Sequence, residues 1–328
     1  GSAVFTNYSC ADTARETSKV LTSGVHTLEF SFGNITKYAY NNATNAPVIN
    51  SIYLNATSSA NFTRDNLTTT VNATDADGDT VKVIYDWREG DDNSSMALLY
   101  LPFENLSNHT APRDYTSYNH SQIYAKSTIF NKTGGFDGRG AYEFNGMTSY
   151  INTSLDLNQK FISGQSGNSK GITMMAWVYT TNTTSSSNTF LFSTDDGGFD
   201  WSVYRRGISW LVWTGSAEVN TTLTVDINQW QHIAVVFDPM TQKIYFYKNG
   251  VETIIDQLVS DDADNDLRIG TYARTKCCFL NATIDEVYVF NYSLSPRSIE
   301  RIYTNGTNTL TATESIAYTN YTVYATPN

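Results

Sequence analysis

The chain has 328 residues and a formal charge of −11, with 21 Lys plus Arg against 32 Asp plus Glu. Nothing in that balance steers it towards nucleic acid or acidic lipid, and divalent cations are its natural small partners. Only 16% of residues are charged, while 22 Tyr, 16 Phe and 6 Trp supply ample core material; the composition predicts an all-β protein of two or three domains. No segment is long and apolar enough to cross a bilayer, and no signal-peptide pattern opens at Gly1, so the sequence reads as a mature exported product or an excised piece of a longer one.

Nineteen Asn-x-Ser/Thr sequons run the length of the chain. They are Asn7, Asn34, Asn42, Asn55, Asn61, Asn66, Asn72, Asn93, Asn105, Asn108, Asn119, Asn131, Asn152, Asn182, Asn220, Asn281, Asn291, Asn305 and Asn320. This density predicts an extracellular or cell-surface protein carrying N-linked glycans, against a background in which a chain rich in Asn, Ser and Thr generates some sequons by composition alone. The three cysteines, Cys10, Cys277 and Cys278, are too few for a disulfide scaffold and lack the spacing of a zinc site. An oxidising compartment favours a bridge among them. Adjacent strand residues point to opposite faces, so Cys277 and Cys278 need a special turn to pair with each other, and one of them pairing with Cys10 is the alternative.

In chain order, residues 1–46 contain one strand signal, Val25 to Phe32 between Gly24 and Gly33, which must complete a sheet belonging to something else. Residues 47–95 predict a small immunoglobulin-like or fibronectin-like β domain, with strands at Val48 to Leu54, Leu67 to Val71 and Val81 to Trp87. Between the last two lies Asp75-Ala76-Asp77-Gly78-Asp79, whose carboxylates around a glycine suit a tight hairpin or a calcium loop. Residues 96–307 predict one larger two-sheet sandwich of many short strands. Within it Asn249-Gly250 marks a type I′ hairpin, and Ser295-Pro296 starts a short helix with Ser295 as its cap. Residues 308–328 end in a strand-like stretch, Ile316 to Tyr324, with its partner left open.

Seven ordered blocks in the larger region resemble a laminin G-like, concanavalin A-like jelly roll. They are Leu99 to Glu104; Gly138 to Gly146 with Tyr150-Ile151; Ile172 to Tyr179; Trp230 to Phe237; Tyr245 to Gly250; Leu267 to Gly270; and Ile284 to Ser295. The resemblance covers about 200 residues and implies a jelly-roll fold. The Asp75 to Trp87 stretch is similar to immunoglobulin-like units that alternate with such domains in modular archaeal surface exoproteins. Fold alone carries no activity.

The resemblance also implies a structural Ca2+ near an Asp of a late strand, a position matched by Asp285, with Glu104 or Asn145 as further candidate ligands. Independently, an Asp between Ile284 and Val287 is costly to bury without a metal, an Arg or backbone donors. Asp75, Asp77 and Asp79 are the second candidate cation group. Trp177, Val235, Phe237, Phe246 and Val287 read as core between the sheets. Tyr179, Trp201, Trp210 and Trp213 lie on or beside the middle strands and are candidate sugar-stacking platforms if they turn outward. The glucanases of this fold carry an alternating Glu-x-Asp-x-x-Glu strand; here Asp285-Glu286 are adjacent, so their side chains are expected on opposite faces, and no enzyme is predicted. The expected role is a glycosylated structural or adhesive surface protein that self-associates, or joins other surface proteins, by adding strands. A carbohydrate-binding module of a larger secreted protein is the alternative.

Overall fold

The structure is a computed structural model. It describes residues 46–58, 65–76, 78–104, 110–157, 171–181, 187–194, 202–215, 217–256, 266–304, 306–315 and 319–328, together with the strand backbone at Val4–Ser9, Glu29–Phe30 and Gly33–Asn34. Of the Val25 to Phe32 signal, only Glu29–Phe30 lies within these residues, paired with Gly33–Asn34. The described chain is almost wholly β-strand, and it divides into two compact units, Gly1–Met96 with Ser295–Asn328, and Ala97–Leu294.

In the smaller unit one sheet orders Val4–Ser9, Asn320–Pro327, Val83–Glu89 and Ser94–Ser95, and a second orders Thr309–Leu310, Leu67–Thr74 and Val48–Ala56. The Asp75 to Asp79 stretch therefore joins strands of different sheets and is not a hairpin. The C-terminal strand is bordered on both sides, Tyr324 standing opposite Phe5 in one neighbour and Asp86 in the other. It is an interior strand with no open edge, and the grouping differs from separate segments at 1–46, 47–95 and 308–328. The physical reason is that an isolated strand leaves its backbone groups unpaired, so chain ends distant in sequence close one sheet. The helix Pro296–Tyr303 belongs to this unit rather than to the preceding sandwich. Ser295 caps it, accepting from Ser298 N at 3.3 Å, and Pro296 occupies the first turn, where a missing N–H costs nothing.

The larger unit is two antiparallel sheets over one core. The first orders Ile129–Asn131, Ala141–Asn145, Asn281–Phe290, Ile172–Tyr179, Trp230–Asp238, Lys243–Lys248 and Val251–Ile255, and Leu99–Leu101 also pairs with Asn281–Phe290. The second orders Glu218–Thr224, Ser209–Trp213, Ser202–Arg206, Asn188–Ser193, Asp266–Ile269, Tyr150–Asp156 and Tyr124–Lys126. Asn249 and Gly250, with φ of 49° and 77°, form the expected two-residue turn between Lys248 and Val251.

Val235, Phe237, Phe246 and Val287 are in the inter-sheet core, alongside Ile172, Met174, Ala176 and Val178. Trp177 is not, because alternation places it with Asp285 and His232 on the outer face of its sheet. Trp210 is the reverse case: it is fully buried in the core and its Nε1 donates to Gln231 Oε1 at 3.0 Å, so it cannot stack on a sugar. Cys277 and Cys278 are both free thiols, and Cys10 lies outside the described residues.

Candidate functional site

The strand Asn281–Phe290 changes partner midway. Residues up to Ile284 pair with Ala141–Asn145, and residues from Val287 pair with Leu99–Leu101. At the junction Glu286 and Val287 together oppose the single Ala176, a β-bulge, and Glu286 takes a φ of 52°. The bulge overturns the expectation that Asp285 and Glu286 diverge, because both now engage the Gly134–Gly140 turn. Asp285 is fully buried and accepts from Phe136 N at 3.0 Å and Glu286 N at 2.8 Å. Glu286 brings a carboxylate oxygen to within 4.8 Å of those of Glu104 and Asp137.

Three acidic side chains so placed can coordinate a cation. Glu104 is 1% exposed, Glu286 is half-buried and accepts from Tyr100 Oη at 2.9 Å, and Asp137 is exposed. Converging carboxylates repel one another, and burying one is expensive, so hard oxygen donors in this arrangement fit Ca2+ or Mg2+. The backbone fixes the geometry. Phe103, next to Glu104, has a φ of 54°, and a methyl group on Gly140 would lie 1.8 Å from the Phe103 carbonyl oxygen.

Of the expected ligands, Glu104 is in this cluster, and Asp285 latches the turn that carries Asp137. Asn145 is elsewhere: its Oδ1 accepts from Met147 N, Thr148 N and Ser149 N at 2.8, 2.9 and 3.2 Å, closing a local turn. Asp75 and Asp79 form no three-ligand group among the described residues, and Asp77 lies outside them. Asp137 and Glu286 were legible only as a glycine-dense turn and a flanking acid, since a bulge has no sequence signature in one chain.

Aromatic rings adjoin the cluster through Phe136. Phe136 stacks on Trp177 at 3.5 Å and meets Trp230 edge-on at 6.4 Å; Trp230 in turn lies 5.6 Å from Tyr179. Phe136, Trp230 and Tyr179 are half-buried, so they pair a wet edge with a packed one. His232 lies beneath, 5.4 Å from Trp177, and burial pushes its pKa down to about 3, which keeps it neutral at physiological pH. Of the other expected platforms, Trp213 is half-buried on the outer face of the second sheet, packed against Phe190, Tyr204 and Leu211. The side chain of Trp201 lies outside the described residues.

Residues 145–300 match the family model described as the concanavalin A-like lectin/glucanases superfamily, and the larger unit carries that fold. No curated protein matches the chain. Among solved structures it is similar to the botulinum neurotoxin serotype D binding domain, at 13% identity and a TM-score of 0.47 over 64% of this chain and 52% of that one. The chain thus spans about half the length of that structure. It is also similar to domain 4 of AbnA, a GH43 extracellular arabinanase from Geobacillus stearothermophilus, in complex with arabinotriose, at 18% identity and a TM-score of 0.46 over 66% of this chain and 99% of that one. Likeness at this level transfers neither ligand nor role.

Proposed function

We propose that the larger unit is a non-catalytic, Ca2+-dependent carbohydrate-binding module of an extracellular glycoprotein, with the smaller unit as its immunoglobulin-like linker. The observation that carries this reading is the continuity of the Glu104–Asp137–Glu286 carboxylates with the half-buried rings of Phe136, Trp230 and Tyr179. The carboxylates would hold the cation and offer it to vicinal hydroxyls, while the rings offer apolar faces to a pyranose. Asp285 holds Phe136 and Asp137 in register, so that cation binding orders the stacking surface as well.

An array of neutral oligosaccharides, probed in Ca2+ and again in chelator, tests this. Selected sugars should bind in Ca2+, weaken at least about tenfold in Trp230→Ala, and be lost in Asp137→Asn or chelator. Absence of any saccharide above background in both conditions would refute the module reading.

A structural role in a fibre or surface lattice is the second reading, favoured by the sequon density. Strand addition would use Val4–Ser9 or Ser94–Ser95, the outer strands of the four-stranded sheet, since the C-terminal strand is already flanked.

A further inference from the structure

The second large sheet ends on a short strand, Tyr124–Lys126, whose one neighbour in that sheet is Tyr150–Asp156. Tyr150 stands opposite Lys126, Ile151 opposite Ala125 and Asn152 opposite Tyr124, and on the far side Ala125 N donates to the Thr110 carbonyl at 2.9 Å. So little backbone pairing holds this edge loosely compared with a strand of ordinary length. Because Ala125 and Ile151 point into the core, alternation turns Tyr124 and Tyr150 together to the outer face.

On that face two phenols meet at their hydroxyl ends. The rings of Tyr124 and Tyr150 stand edge-on with centroids 6.0 Å apart, and their hydroxyl oxygens are 3.5 Å apart. The carbons that flank a phenol's hydroxyl become its reactive carbons once the ring has lost an electron, so this contact brings the reacting edges of both rings together. The hydrogen bond from Tyr150 holds the Tyr124 hydroxyl below the ordinary phenol pKa, with Asn152 and the charges of Lys276 and Arg268 adding to the effect, while burial and the same bond push Tyr150 up to about 12. Tyr124 therefore gives up its proton more readily than an isolated tyrosine, and a phenol that loses its proton readily also loses an electron readily.

Exposure makes the pair selective. Tyr124 is 40% exposed and so open to a soluble oxidant, while its buried neighbour Tyr150 is held against it. Tyr100 and Tyr288 stack more closely, at 3.9 Å, but both are buried, and Tyr100 Oη is committed to Glu286 Oε2 at 2.9 Å. Tyr118 is as exposed as Tyr124, yet the ring beside it, at 6.0 Å, is that of His120. Tyr124 and Tyr150 thus combine access with a second phenol in reach.

We infer that Tyr124 and Tyr150 form an oxidative cross-linking site, at which a peroxide-driven one-electron oxidant of the haem peroxidase class joins the two rings as dityrosine. Each phenol loses one electron and its hydroxyl proton. The two phenoxyl radicals combine through one ortho carbon of each ring, and as the hydrogens leave those carbons as protons, protons return to the oxygens and restore two aromatic phenols. One molecule of hydrogen peroxide takes up the pair of electrons and the pair of protons lost overall and leaves as two waters. The new carbon–carbon bond ties the edge strand to its neighbour across 26 positions of sequence, replacing loose pairing with a covalent tie at the place where the sheet is easiest to open. The inference is independent of the carbohydrate-binding reading.

The test treats the whole chain, kept dilute, with a haem peroxidase and limiting hydrogen peroxide, then maps the tryptic peptides of the monomer fraction by mass spectrometry. A linked peptide carrying Tyr124 and Tyr150, lighter than its two parts by the hydrogens lost and showing dityrosine fluorescence, should exceed any other tyrosine pair by about tenfold or more, as expected when two reactants are already held together. Tyr124→Phe, which removes one hydroxyl from an exposed ring, should abolish that peptide with the denaturant midpoint unchanged; Tyr150→Phe should abolish it too, and Tyr118→Phe should leave it in place. Cross-links spread over Tyr53, Tyr118 and Tyr124 in proportion to exposure, or found only between chains, would overturn the inference. Tyr124 left unmodified, or hydroxylated without a link, would overturn it as well.

Discussion

Asp114 shows how much one buried carboxylate can organise. It is fully enclosed and accepts from Tyr100 N, Thr116 N, Thr116 Oγ1, His120 N and His120 Nδ1 at 3.2, 3.0, 2.8, 3.1 and 2.8 Å. Burial alone would raise its pKa, but the hydrogen bonds from His120 and Thr116 outweigh it and hold the carboxyl below its ordinary value. A depressed folded value means that the stabilisation is fully present above the unfolded pKa of about 3.9 and is lost as the pH falls through the lower folded value. Asp114→Asn should destabilise the larger unit by about 1–3 kcal/mol at neutral pH, measured as a shift in denaturant midpoint. The gap between variant and wild type should close on acidification below about pH 4; a gap unchanged to pH 2 would show that the charge contributes nothing.

Among elements, the bulge at Glu286 decides the candidate site and Gly140 permits it. A strand obeying strict alternation would send Asp285 and Glu286 to opposite faces, and only the extra residue opposite Ala176 turns both towards the Gly134–Gly140 segment. Gly140→Ala would set a methyl group 1.8 Å from the Phe103 carbonyl oxygen, so the backbone beside Glu104 must move. The expected cost is about 1–3 kcal/mol in chemical denaturation, with a weaker luminescence response to Tb3+ as a calcium substitute. Unchanged Tb3+ affinity would separate Gly140 from the cation site. The two tryptophans carry the same lesson about alternation. Trp210 and Trp177 look alike in sequence, yet one fills the core and the other supports Phe136 on the outside.

At the scale of the molecule, the sequons sort by exposure. Asn55, Asn72, Asn119, Asn220 and Asn320 are exposed, whereas Asn66 and Asn152 are buried at 9% and 8% and bind Ala312 N and Ser154 N through their side-chain oxygens. Those two cannot carry a glycan in this fold. Site-resolved mass spectrometry of natively isolated protein should find the exposed set occupied and Asn66 and Asn152 bare, and mass photometry of the same material should show repeating subunits if the surface-lattice reading holds. Dispersed monomers would remove that reading, and glycans at the buried pair would contradict the fold.

Composition, alternation and turn residues were enough to specify an all-β chain, most strands of the larger sandwich, the Asn249-Gly250 hairpin and the capped helix at Ser295, because each depends on neighbours within a few residues. Asp285 was legible for the same reason, as an acid embedded in an apolar strand, and Glu104 only through the family resemblance. Outward-facing strands of polar residues, such as Tyr124–Lys126 and Glu218–Thr224, were not, since a solvent-facing edge needs no apolar pattern. Tertiary structure alone decided which tryptophan enters the inter-sheet core, that the C-terminal strand closes a sheet between Val4–Ser9 and Val83–Glu89, and that Asp137 and Glu286 join Glu104. Those facts rest on pairings between segments up to hundreds of residues apart, and the bulge that shifts one register is a property of the pair of strands rather than of either sequence.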